Sequence, residues 1–256
     1  MAALEVHQIP VWDDNYVYLA HDAETGSTAV VDPAEAEAVL KAAEAKGWKI
    51  THILNTHHHG DHTGGNLEIK AATGCTIVGS RADAARIPGI DVQVGEGDTY
   101  QMGSATAKIF DVPGHTRAHI AYWFEDSDVL FCGDTLFALG CGRLFEGTAE
   151  QMWTSLSKFR ALPGATRVCC AHEYTQANAR FAVTVDPENA TLTSRSAEID
   201  RLRADGKPTV PSTIAEELAT NPFMRADDAG VAAAVGLAGA DPVAVFAEVR
   251  RRKDNF

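Results

Sequence analysis

Cysteine is scarce in this chain. The five residues Cys75, Cys132, Cys141, Cys169 and Cys170 are odd in number and contain no C-x-x-C pair, so they read as free thiols in a reducing compartment. Basic charge is also short: 22 Lys and Arg stand against 35 Asp and Glu, a formal net charge of −13. That balance argues against nucleic acid or an anionic membrane as the main partner. No stretch approaches the roughly 18 consecutive apolar residues of a membrane span, and the apolar run at 231–240 is short and broken by glycine. Residues 1–10 lack a basic segment ahead of an apolar one, so a soluble, unsecreted, cytoplasmic protein is expected. With 45% hydrophobic and 22% charged residues over 256 positions, the chain can bury a core as one large α/β domain or as an ordinary domain with an appendage.

What stands out is Thr56-His57-His58-His59-Gly60-Asp61-His62, of the form His-x-His-x-Asp-His. The β-branched and aliphatic run 50–55 before it predicts a buried strand, and Thr63-Gly64-Gly65-Asn66 opens a helix after it. The motif therefore lies on a strand-to-helix loop. Imidazole and carboxylate are ligands that zinc, iron and manganese accept. His57 and His59, two apart on extended backbone, point the same way and can grip one ion. Gly60 lets the chain turn, so that Asp61 and His62 aim at a second point nearby. His58, between them, faces away, and two metals are the natural reading.

Runs at 4–9, 15–20 and 28–32 predict short strands, and 35–46 predicts an alanine-rich helix stopped by Gly47. Further strands are predicted at 76–80, 105–112, 119–124, 129–132 and 167–171, with an amphipathic helix at 149–162. Two sheet-and-helix halves facing one another would form a four-layer αβ/βα sandwich. From about residue 174 the strand-like runs stop, and 175–185, 187–203, 212–220 and 241–251 predict helices. The expected division is a metal-binding α/β domain over 1–173 and a small helical domain over 174–256.

More ligand types stand at other strand ends: Pro113-Gly114-His115-Thr116, Cys132-Gly133-Asp134-Thr135 and Ala171-His172-Glu173. Sites in α/β sandwiches gather beyond strand ends. Placing His57, His59 and His115 on one metal and Asp61, His62 and His172 on the other leaves Asp134 to bridge both. Each ion then keeps room for water, the mark of a catalytic site. His119 starts a strand and is expected in the core, while Asp32 and Cys141 lie in turns that could approach the metals.

These motifs, with Gly133-Asp134-Thr135-Leu136-Phe137, resemble the metallo-β-lactamase superfamily. More narrowly, the segments 140–147 and 221–225 and the ending 249–256 resemble glyoxalase II, the hydroxyacylglutathione hydrolase family. The resemblance implies hydrolysis of S-D-lactoylglutathione to glutathione and D-lactate on two divalent ions, zinc first, with iron or manganese as alternatives. Such a pair would bring a bridging water toward a pKa of about 7 and supply the hydroxide that attacks the thioester. It also implies Asp134 and Asp61 as catalytic carboxylates, and Arg143, Phe145, Tyr174, Arg250 and Lys253 as holders of glutathione. Arg143-Leu144-Phe145 stands where some members carry Lys-x-Tyr, which keeps the charge and loses a phenol. Arg250 and Lys253, three apart on a helix, are expected to clamp one carboxylate together. The expected partner is a glutathione thioester, with no nucleic acid, no membrane and a monomeric chain. The rival reading is an iron-dependent glutathione persulfide (sulfur) dioxygenase of the same superfamily, which has no evident need for Asp61, His62 and His172 as a second ligand set.

Overall fold

The computed structural model describes residues 3–256, in two compact units. The first runs to Asp111 and resumes over Ala118–Gly133, and the second comprises Val112–Arg117 and Asp134–Phe256.

In the first unit β1 (Glu5–Val11), β2 (Asn15–Asp22) and β3 (Ser27–Val31) form an antiparallel meander through tight turns. Helix α1 (Glu37–Lys46) then carries the chain back over the sheet, so β4 (Ile50–Leu54) joins β3 in parallel. A single turn α2 (Gly60–Thr63) and helix α3 (Asn66–Thr73) lead to β5 (Thr76–Ser80) and β6 (Val92–Val94), which extend the parallel half. Val17, Leu19, Val30, Ile53 and Ile77 of these strands bury against Val39 and Ala43 of α1 and Ile69 of α3. The continuous apolar strands follow from coverage on both faces.

The opposite face is covered by β7 (Thr99–Met102), β8 (Ala105–Asp111), β9 (Ile120–Phe124) and β10 (Val129–Gly133), each antiparallel to the next. Tyr18 meets Phe131 across the sandwich at 5.7 Å between ring centroids. The buried Tyr122 hydroxyl donates to the Asn55 carbonyl at 2.9 Å, which ties the end of β4 to the second sheet.

The second unit opens with a minimal hairpin, β11 (Leu136–Phe137) and β12 (Gly140–Cys141). A capping box between Thr148 and Gln151 starts α4 (Ala149–Arg160). Strand β13 (Arg167–Cys170) leads into α5 (Thr175–Val185) and α6 (Ala190–Ala204). A two-residue strand β14 (Ser212–Thr213) pairs antiparallel with β13. The chain ends in α7 (Ile214–Thr220), α8 (Ala229–Ala234) and α9 (Pro242–Asp254).

The expected sandwich and terminal helices are present. Strands β6, β7, β11, β12 and β14 escape the sequence pattern because two to four residues carry too little periodicity. Helix α8 overlaps only the first residues of the glycine-broken apolar run at 231–240. All five cysteines are buried free thiols, and no helix among the described residues is long and apolar enough to cross a membrane.

Candidate metal centre

In the first unit the motif leaves β4 at Asn55, and a helical turn, α2, begins already at Gly60, so Asp61 and His62 stand on it rather than in a loop before the expected helix start at 63–66. Asn55 closes this loop by donating its amide to the His62 carbonyl at 2.9 Å. Beneath it lies the buried carboxylate of Asp32, which takes the Thr56 backbone N–H at 2.8 Å and the Thr56 hydroxyl at 2.6 Å. The same Asp32 oxygen stands 3.1 Å from His62 Nδ1. The carboxylate charge beside Nδ1 favours the His62 tautomer that carries its proton there and keeps a lone pair on Nε2. The Thr56 hydroxyl, its hydrogen given to Asp32, can only accept from His57 Nδ1 at 3.1 Å. His57 therefore also presents a bare Nε2.

Ligand atoms of Asp32, His57 and His62 lie within 4.8 Å of one another. The His57 ring sits 4.6 Å from that of His59 and 4.0 Å from that of His62. His62 Nε2 faces an oxygen of the part-exposed Asp61 at 3.6 Å. Two lone-pair donors aimed at each other are repulsive alone and become favourable around a cation, so this donor set fits a metal. His58 turns away as expected, with Nδ1 2.9 Å from Asp83 and Nε2 accepting from Arg86 at 3.1 Å. His119, fully buried, stacks on His57 at 4.6 Å.

The second unit carries its own cluster of ligand types. His115 Nδ1 donates to the Arg143 carbonyl at 2.9 Å, which again leaves Nε2 bare. That nitrogen is 3.4 Å from Oδ2 of Asp134, while His172 Nε2 is 3.4 Å from Oδ1 of the same residue. One buried carboxylate thus turns each oxygen toward a different histidine, the arrangement a bridging ligand requires. Tyr174 lies flat on the His172 ring at 4.7 Å.

Around this cluster, Arg143 is exposed, Phe145 is 64% exposed beside the His115 ring and Tyr174 is 38% exposed. Lys253 is part-buried, donates to the Ala177 carbonyl at 3.1 Å and lies over Phe181 and Phe256. Burial, helped by Arg250, Arg180 and Arg143, lowers its ammonium from the ordinary 10.5 to about 8. Arg250 departs from the expected clamp. It is only 5% exposed, because its guanidinium donates to the Cys141 carbonyl at 3.0 Å, pairs with Asp254 at 2.8 Å and covers the Phe223 ring. Arg251 and Arg252 are both engaged by Glu248. Of the basic run, Lys253 alone has neither a carboxylate partner within ion-pair distance nor full burial among the described residues.

Asn55 and Thr56 were not legible as participants, since each is an ordinary strand-end residue in sequence. Asp32, singled out by its turn, stands beside Thr56 and His62.

The family described as Metallo-beta-lactamase superfamily matches residues 11–172, and Hydroxyacylglutathione hydrolase C-terminus matches 173–256. Hydroxyacylglutathione hydrolase of Methylococcus capsulatus is 62% identical over 253 residues, covering 99% of each chain. That of Rhodospirillum rubrum is 60% identical over 256 residues, 100% of both. The chain belongs to the hydroxyacylglutathione hydrolase family. Among solved structures this family member is similar to ETHE1 from Myxococcus xanthus, with a TM-score of 0.69 and 26% identity over 96% of this chain and 90% of that one. BLEG-1 B3 metallo-beta-lactamase shares the fold at a TM-score of 0.66 and 21% identity, covering 86% and 99%. This chain accordingly has the metallo-β-lactamase fold with a helical C-terminal segment.

Proposed function

We propose that this chain hydrolyses the thioester S-D-lactoylglutathione to glutathione and D-lactate at a centre of two divalent ions, zinc in the first instance. The observation that carries the reading is Asp134, whose two oxygens each face a histidine nitrogen, in a chain 62% identical to a hydroxyacylglutathione hydrolase. His57, His59 and His115 would hold one ion, Asp61, His62 and His172 the other, and Asp134 both. Bound there, the ions supply hydroxide at neutral pH and a Lewis acid for the thioester oxygen.

The chain's own residues do the rest. Asp32 and Thr56 keep His57 and His62 in the tautomer that presents Nε2, and the Arg143 carbonyl does so for His115. Asp61, more exposed than Asp134, takes proton transfer with water as well as a ligand place. Arg143 and Lys253 offer charge to the two glutathione carboxylates, Tyr174 a phenol, and Phe145 an apolar face. Arg250 enters this reading through the Cys141 carbonyl it holds. The active domain is 1–173 and the helical substrate-binding domain 174–256. All proposed ligands come from one chain, so a monomer is the working unit. Five buried thiols and the absence of any C-x-x-C pair favour the cytoplasm.

The test is purified protein with lactoylglutathione and metal analysis. One thiol should appear per acid formed, without oxygen uptake and with about two ions per chain. Oxygen consumption on glutathione persulfide at a comparable rate, without thioester cleavage, would overturn the assignment.

A further inference from the structure

The β11–β12 hairpin is two residues per strand, too short to hold its own shape. Its carbonyls are instead taken one by one from the helical segment. Asn221 donates its amide to Phe137 O at 3.1 Å and Gly140 O at 3.0 Å, spanning both strands. Asn178 donates to Ala138 O at 3.1 Å and Arg250 to Cys141 O at 3.0 Å. Glu217, fully buried, accepts the Leu139 N–H at 2.8 Å and the Asn221 amide at 2.9 Å on one oxygen, and Arg195 at 2.6 Å on the other.

Leu139 sits at the tip with φ +58°, a left-handed conformation that costs energy for any residue with a Cβ. It persists because its side chain is buried with Ala179, Ala182, Leu192 and Ile199 of α5 and α6. The hairpin is therefore shaped by an apolar knob and a polar latch, neither of which belongs to it.

Both ends of the hairpin touch the candidate centre. Asp134 lies two residues before β11, and just after β12 a Cβ on Gly142 would stand 2.0 Å from the Asp134 carbonyl and 3.0 Å from His115 Nδ1. The next residue, Arg143, gives the carbonyl that fixes the His115 proton. A shift of the hairpin moves the backbone on both sides of the two oxygens that face His115 and His172.

We propose that Glu217 and Asn221 are positioning residues for Asp134 and His115, acting through the hairpin, so that α7 tunes metal affinity as well as holding the helical segment together. The inference rests on the binuclear reading above. The test is zinc affinity per folded molecule, by chelator competition, on the parent and on Glu217→Gln and Asn221→Ala, with kcat and KM measured alongside.

Gln at 217 puts an N–H₂ against a donor, and Ala at 221 removes the bonds to both strands. Each should weaken zinc about tenfold or more and lower kcat while KM stays within about twofold. Val245→Ala, a cavity in α9 that touches none of the latch bonds, should lower Tm and leave zinc affinity intact. If the latch variants lose only Tm, as Val245→Ala does, the role is merely structural and the proposal fails.

Should either latch variant not fold, Leu139→Gly decides. Glycine accepts φ +58° and keeps the N–H to Glu217 but withdraws the knob, so zinc binding should weaken, and unchanged affinity overturns the proposal. A parent that binds no metal overturns the binuclear reading itself, and this is seen before any variant is made.

Discussion

Replacing Asp32 by Asn changes almost no volume, yet it should reverse the protons of His57 and His62. The Asn oxygen must stay toward the Thr56 N–H, because an amide N–H₂ there would face a donor at the 2.8 Å now spanned. The N–H₂ then falls where Oδ2 meets His62 Nδ1 at 3.1 Å and the Thr56 hydroxyl at 2.6 Å. His62 Nδ1, which now faces a carboxylate, would face an N–H donor instead and is favoured as an acceptor, which moves its proton to Nε2, the proposed ligand atom. The Thr56 hydroxyl, now receiving from Asn, turns its hydrogen toward His57 Nδ1 and drives the same exchange there. Loss of one such outer partner costs about 10- to 100-fold in metal affinity. With two ligands affected, the upper end is expected, about 100-fold or roughly 2.8 kcal/mol. Zinc competition against a chromophoric chelator reads this directly, with the Tm of the metal-free protein as a folding control. An Asp32→Asn protein that binds zinc within about threefold of the parent would refute the tautomer argument.

Asp134→Ala removes the carboxylate facing both His115 and His172, and should lose metal at both positions together with turnover. Metal analysis giving two ions per chain and most of the activity would sink the bridging role. Gly133, at φ +49°, has no room for a Cβ, which would lie 2.2 Å from the Thr56 hydroxyl. Gly133→Ala should cost roughly 1–3 kcal/mol in stability, read as a lower Tm, and displace the hydroxyl that orients His57. Lys253→Ala should raise KM about tenfold to a hundredfold while largely sparing kcat, an effect that shrinks with added salt. Because the Lys253 ammonium titrates near 8 rather than 10.5, kcat/KM should fall as pH rises through about 8, and Lys253→Arg should remove that dependence. The sign for stability is opposite: the unfolded chain binds this proton more tightly, so the contribution of Lys253 to stability improves from about pH 8 to 10.5.

The sequence alone determined the elements whose pattern is local. Strand periodicity before His57, the glycine after His59 and the capped helices beyond Tyr174 are written in neighbouring residues, because backbone preference and burial on one face act over a few positions. The ligand types were legible for the same reason: each of His115, Asp134 and His172 follows a strand-like run beside a glycine or small residue. What only the tertiary structure decided is which groups each histidine nitrogen faces and which cation of the C-terminal run has no carboxylate partner among the described residues. Asp32 is 24 residues from Thr56 and 30 from His62, and no pattern links them until β3 and β4 pair. In sequence the charge run 250–253 separates only by helix face, which puts Arg250 with Lys253. In the fold Arg250 is buried against Cys141, 109 residues away, while Arg251 and Arg252 close on Glu248. Charge is a property of the residue, but its availability depends on which acceptors packing brings within about 3 Å.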